Sequence, residues 1–231
     1  PEITIASEVQ LEKYRSLAPV ALTGGQLFAP ALVEPKREEG FQYVVFAATL
    51  DPNAEPKRKD WATVIDADVA NELGELPQVG AMVLAARVFV PSADRRELVA
   101  LDQRSGKVLW RTATALISSM AVDFDSAYVA GTDDAGQLVV AAFAVSSGKR
   151  RFSQTLGRAD VTGSLVLAGE VLYVGSSVGE LLLIGAASGD VLGRVDLGGV
   201  VHDPIVTHGR VFTSNGEQVF ALGVPGAAAT R

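Results

Sequence analysis

The feature that most constrains this chain is an internal repeat of about 40 residues. Aligned on the glycine of ALDQRSG (100–106), the segments AFAVSSG (142–148), LIGAASG (183–189) and FALGVPG (220–226) fall into one frame. The glycines are Gly106, Gly148, Gly189 and Gly226, spaced 42, 41 and 37 residues apart. Upstream of each lies an alternating apolar segment with an aromatic: ARVFVPS (86–92), SAYVAGT (126–132), EVLYVGS (170–176) and GRVFTSN (209–215). A further apolar segment precedes it, as in GSLVLAG (163–169) and DPIVTHG (203–209). Another follows the glycine, as in KVLWRTA (107–113), KRRFSQT (149–155) and DVLGRVD (190–196).

Short runs of period two, broken by Gly, Asp, Ser or Asn, predict antiparallel strands joined by turns. Four such strands per repeat make the blade of an all-β propeller. One blade has two apolar faces and cannot bury both alone, whereas stacked blades bury each other. The predicted blades are 19–70, 75–115, 116–157, 158–199, and 200–226 completed by residues 2–7. Five blades are thus visible in a single domain spanning 1–231, with the N-terminal strand EITIAS closing the ring; a native ring of seven or eight is the alternative.

The first unit is the divergent one. APVALTGGQLFAP (18–30) aligns with DPIVTHGRVFTS (203–214), setting Pro19 opposite Pro204 and Phe28 opposite Phe212. From Phe28 to Phe89 is 61 residues, against later aromatic intervals of 39, 45 and 39. The excess falls in EPKREEG (34–40) and DPNAEPKRKD (51–60), which read as extended loops. Trp61 then opens an outer strand, WATVID.

Composition narrows the function classes. Nearly half the residues, 48%, are apolar, enough for a large core. The longest apolar runs, YVVFAATL (43–50) and LVVAAFAV (138–145), suit buried strands and fall far short of the roughly 20 residues of a membrane-spanning helix. A formal charge of −7 argues against nucleic acid and anionic membranes as partners. There is no cysteine, so disulfides, thiolate metal sites and a cysteine nucleophile are excluded. The chain starts at Pro1, so a signal peptide or lipid anchor upstream is an open expectation.

ALDQRSGKVLW resembles the tryptophan-docking motif of the pyrroloquinoline-quinone-like propeller repeats, A-x-D-x-x-x-G-K-x-x-W. Ala100, Asp102, Gly106, Lys107 and Trp110 match every position. Gly148-Lys149 with Phe152, and Gly189 with no aromatic after it, are partial versions. The motif reads as a structural clasp. Gly106 supplies a positive φ, Asp102 and Ser105 cap turn amides, and Trp110 offers an apolar face to the next blade.

Quinoprotein dehydrogenases of this superfamily imply a tryptophan floor, an adjacent-cysteine disulfide ring and a calcium held by Glu and Asn. This chain has no cysteine, and its two tryptophans, Trp61 and Trp110, fall on outer strands. No cofactor is therefore expected, and no enzyme activity. The resemblance instead implies a non-catalytic, BamB-like branch: a protein-binding scaffold or assembly factor of the bacterial envelope, periplasmic or outer-membrane associated, with envelope proteins as partners. A ligand-sensing or docking module of a larger receptor-type protein is the alternative, and a quinoprotein dehydrogenase fragment the less favoured third reading. Loops on rigid scaffolds carry contacts, so the candidate partner-binding residues are Lys36, Arg37, Phe41, Lys57, Arg58 and Trp61, in or beside the two long loops.

Other chemistry is sparse. His202 and His208 flank DPIVT, some 20 Å apart at about 3.3 Å per residue, too far to share a metal. Asp123 and Asp125, with Asp133 and Asp134, form acidic pairs at expected turns and do not meet the EF-hand pattern. GSSVGE (175–180) joins two strands with no helix to hold a phosphate.

Overall fold

The computed structural model describes residues 14–17, 19–34, 40–50, 60–69 and 79–223. The ring-closing strand expected at 2–7 and most of the loops 34–40 and 51–60, including Lys36, Arg37, Lys57 and Arg58, lie outside the described residues. Every regular element among the described residues is a β-strand, and all ladders are antiparallel. No helix there is long and apolar enough to cross a membrane. The chain forms two compact units, Pro1–Thr114 and Ala115–Arg231.

The first unit holds two sheets. In one, β3 (Gln26–Val33), β4 (Phe41–Thr49) and β5 (Trp61–Val69) run side by side. β1 (Tyr14–Leu17) and β2 (Ala21–Thr23) both pair with β3, Leu17 opposite Ala31 and Ala21 opposite Phe28. They act as one first strand interrupted around Pro19, which has no N–H for a ladder. The Pro19 carbonyl instead accepts from Ala81 N at 3.3 Å, and a Cβ on Gly80 would stand 2.2 Å from that oxygen. Glycine is required by this close approach. The other sheet follows sequence order, with β6 (Met82–Leu84), β7 (Arg87–Pro91), β8 (Glu97–Asp102) and β9 (Val108–Ala113).

The second unit holds three sheets. β10 (Leu116–Val122), β11 (Ser126–Thr132), β12 (Gln137–Ala144) and β13 (Arg150–Arg158) form one, and β14 (Val161–Ala168), β15 (Val171–Ser176), β16 (Glu180–Gly185) and β17 (Val191–Asp196) the next. The last has β18 (His202–Thr207), β19 (Arg210–Ser214) and β20 (Val219–Gly223). These are propeller-type blades, as the repeat predicts.

Burial follows strand position within a blade. Inner strands such as β12 are buried almost throughout, because both faces of the sheet are covered. That explains the eight-residue apolar runs. Outer strands alternate between half-buried and exposed residues, as β9 and β17 do. In the first unit, Phe28, Tyr43, Val45 and Ile65 pack with Val88, Val90, Val99 and Leu101. In the second, Tyr128, Leu138, Val140 and Leu156 pack with Leu165, Leu172, Leu182 and Ile184. Sheet-on-sheet burial of this kind is the main source of stability.

Candidate functional site

The turn in ALDQRSGKVLW closes as its residues dictate. Asp102 N donates to the Lys107 carbonyl at 2.8 Å, and Gly106 N to the Asp102 carbonyl at 2.8 Å. Asp102 Oδ1 accepts from Ser105 N at 2.8 Å and Ser105 Oγ at 2.6 Å, and Ser105 Oγ accepts from Lys107 N at 3.4 Å. The Ser105 hydroxyl and amide bonds hold the Asp102 carboxyl below the ordinary carboxylate range. Ala100 is fully buried opposite Trp110, whose ring lies 5.9 Å from Phe89.

What docks on Gly106 is Trp61. Gly106 has φ +71°, and a Cβ there would meet the Trp61 ring at 2.5 Å. Trp61 Nε1 donates to the Gln103 carbonyl at 3.0 Å, and Thr63 Oγ1 to the Gly106 carbonyl at 2.7 Å. The indole also lies 6.0 Å from Phe28. In the second unit Phe152 repeats the device: a Cβ on Gly189, at φ +80°, would stand 2.5 Å from its ring. An aromatic on one outer strand therefore seats on the turn glycine of the next blade within each unit. Of the residues expected to meet a partner, Trp61 packs between blades, and Phe41 is only 9% exposed within the core of the first unit.

A second clasp was not anticipated. Arg111 bridges Glu97 of its own blade at 2.6 Å, Asp66 of the preceding one at 2.6 Å, and the Ile65 carbonyl at 2.7 Å. Partial burial works against the guanidinium charge, and the Asp66 and Glu97 carboxylates outweigh it, raising its pKa. Arg194 repeats the pattern, pairing with Glu180 at 2.9 Å and donating to the Leu156 carbonyl at 3.0 Å. Its signal is in the sequence: Glu97 and Glu180 each open a third strand, 14 residues before the arginine.

Beside Arg194 lies an inter-blade cleft of about 290 Å³. Its apolar wall is Leu138, Leu156 and Leu182, all buried, and its polar rim includes Arg158, Arg194, Glu180 and Asp196. Ser176 is fully buried there, and its Oγ accepts from Glu180 N at 3.0 Å. Arg158 pairs through its backbone with β12 opposite Gln137, and its guanidinium has no ion-pair or hydrogen-bond partner among the described residues. Val178, 58% exposed, stands at the mouth. An apolar wall with a few charged groups at its edge suits an amphipathic side chain or peptide segment.

The aspartates at the turns act as turn acceptors. Asp123 accepts from Asp125 N, Ser126 N and the Tyr128 hydroxyl at 2.8, 2.6 and 2.8 Å. Asp133 accepts from Ala135 N and Gln137 N at 2.9 and 2.8 Å. Among the described residues no three His, Asp or Glu converge as metal ligands. His208 shares a 2.8 Å hydrogen bond with the Thr207 hydroxyl, and the His202 carbonyl accepts from Thr213 Oγ1.

Comparison with known proteins places these repeats. The sequence profile of the family described as outer membrane protein assembly factor BamB matches residues 51–153 and 136–224. No curated protein sequence matches the chain. Among solved structures, a europium-containing methanol dehydrogenase superposes with a TM-score of 0.64 at 14% identity, covering 88% of this chain and 50% of its own. The quinohemoprotein alcohol dehydrogenase of Comamonas testosteroni gives 0.63 at 13% identity, covering 92% and 42%. The computationally designed Ika8 protein gives 0.60 at 11% identity, covering 94% and 74%. The chain thus spans about half the length of the dehydrogenases it resembles, and at these identities the likeness speaks for the fold alone.

Proposed function

The chain belongs to the family of outer membrane protein assembly factor BamB, and from that premise we propose that it is a non-catalytic, protein-binding scaffold of the bacterial envelope. The observation that carries this reading is the use made of its aromatic residues. A quinone site needs tryptophan faces open to a ligand. Trp61 is seated on Gly106 and hydrogen-bonded to the Gln103 carbonyl, and Trp110 lies in a tilted contact with Phe89. With no cysteine in the chain, an adjacent-cysteine disulfide cannot form either. What is left for recognition is the surface between and around blades, which in the second unit includes the cleft lined by Leu138, Leu156 and Leu182. An envelope location and envelope proteins as partners belong to the same reading, through the family's description as an outer membrane protein assembly factor.

Two assays on the purified chain test it together. Titration with pyrroloquinoline quinone and calcium should show no saturable binding and no alcohol-dependent dye reduction. Crosslinking from envelope extract should recover a defined protein. Stoichiometric quinone binding with turnover would overturn the proposal.

A further inference from the structure

One side of the cleft in the second unit is lined by Ser176 and Val178, at the turn between β15 and β16. The link between β17 and β18 holds that turn in place. Leu197 N donates to the Gly179 carbonyl at 2.9 Å, and Val201 N to the Ser176 carbonyl at 3.2 Å. A single side chain of the last blade holds the link in its turn. Asn215 Nδ2 donates to the Leu197 carbonyl at 2.9 Å and to the Gly198 carbonyl at 2.7 Å. Its Oδ1 accepts from Glu217 N at 3.1 Å and from Gln218 N at 2.8 Å. Asn215 is also the one asparagine of the chain that precedes a glycine, since Asn53 and Asn71 precede Ala54 and Glu72. Gly216 is exposed, with open space where a side chain would stand. Its N–H has no hydrogen-bond partner among the described residues.

We propose that Asn215–Gly216 is a deamidation site, and that its conversion unlocks this side of the cleft. The Gly216 nitrogen gives its proton to hydroxide and bonds to Asn215 Cγ. The Cγ–Nδ2 bond breaks, ammonia takes a proton from water and leaves, and a cyclic imide remains. Water then opens the imide at one carbonyl or the other, giving aspartate or isoaspartate with no change of oxidation state. Two features favour the attack. Nothing shields the free Gly216 N–H, and the two amides bonded to Oδ1 stabilise the negative charge that develops on that oxygen. The product cannot hold the link. A carboxylate has no hydrogen to donate, so the bonds to the Leu197 and Gly198 carbonyls are both lost. Its charge is instead set against those two oxygens, beside a link already capped by Asp196, which accepts from Gly198 N at 3.0 Å. In isoaspartate the main chain also runs through the former side chain, lengthening the turn between β19 and β20. The lock belongs to the wall of the cleft and operates whatever the cleft binds.

The full chain is aged at mildly alkaline pH beside a synthetic peptide spanning 213–218, and both are followed by peptide mapping. The mass gain of amide-to-acid conversion is expected at Asn215 ahead of Asn53 and Asn71, as aspartate and isoaspartate, at a rate that climbs with pH. Amide exchange by NMR then reads the consequence. Leu197 and Val201 are expected to exchange at least about tenfold faster in the aged chain and in Asn215→Asp. Leu182, paired on both sides by Val174 and Arg194, should keep its protection. Should Asn215→Asp not fold, the aged chain carries the same readout. Conversion of the peptide with none in the folded chain would overturn the site. Conversion at Asn215 with Leu197 and Val201 exchanging as before would overturn the lock. Either result leaves the protein-binding reading where it stands, since neither assay involves a partner.

Discussion

Replacing Trp61 by alanine removes a ring that touches Gly106, a hydrogen bond of 3.0 Å to the Gln103 carbonyl, and a tilted contact with Phe28. Truncation of a packed tryptophan costs about 3–5 kcal/mol. Within that, the hydrogen bond contributes about 1 kcal/mol and the aromatic pair about 0.5–1.5 kcal/mol. Trp61 is half-buried, so the lower end, about 3 kcal/mol, is expected. For a chain of this size that lowers Tm by about 6–12 °C. The partner substitution, Gly106→Ala, adds the roughly 1–2 kcal/mol of a left-handed alanine to a Cβ 2.5 Å from the ring. The double-mutant cycle is the decisive assay, by urea unfolding monitored with circular dichroism. Gly106→Ala should cost at least about 1 kcal/mol less in the Trp61→Ala background, where the ring's part of the clash is gone. Equal costs in both backgrounds, or a loss below about 0.5 kcal/mol for Trp61→Ala, would refute seating of the indole on the turn.

Four further outcomes follow from the same geometry. Phe152→Ala should destabilise by about 3 kcal/mol and couple to Gly189→Ala in the same sense, read by a second unfolding cycle. Arg111→Met should cost about 1–2 kcal/mol in urea unfolding, discounted for its one-third exposure, and the loss should shrink at 1 M salt. Asp102, with its pKa lowered by Ser105, contributes stability that is present above the ordinary carboxylate pKa and lost as pH falls through its own; carboxyl NMR should show it titrating below about 3.9, and Ser105→Ala should move it upward. The Tyr43 hydroxyl is buried without a hydrogen-bond partner among the described residues, and burial followed by the Asp66 charge raises its pKa, so Tyr43→Phe should leave stability unchanged or raise it by up to about 1 kcal/mol in thermal unfolding.

The blades were legible because strand periodicity and turn glycines are local signals that recur. YVVFAATL and LVVAAFAV are long apolar runs since both faces of an inner strand are covered, and ALDQRSGKVLW announces its own turn. The docking partner of that turn was harder to see. Trp61 lacks the upstream glycine of the motif, so it read as the edge of a loop, whereas packing on Gly106 depends on the blade it faces. The Arg–Glu pairs sit at a fixed interval in two repeats and were visible to an alignment that tracked charges as well as glycines. The cleft had no sequence signature, because Leu138, Leu156, Leu182 and Arg158 are ordinary strand residues until two sheets face each other.

Position-resolved photo-crosslinking from envelope extract tests the scaffold reading most directly, with the reactive side chain placed in turn at Val178 and Leu109, both exposed. Val178 is among the residues that line the cleft, and Leu109, on β9 of the first unit, is not. A discrete envelope protein captured from Val178, absent from Leu109 and lost when Arg158→Glu reverses the charge at the rim, is the predicted result. Equal capture at both positions, or none at Val178 in a folded chain, would contradict a scaffold that recognises its partner through this surface.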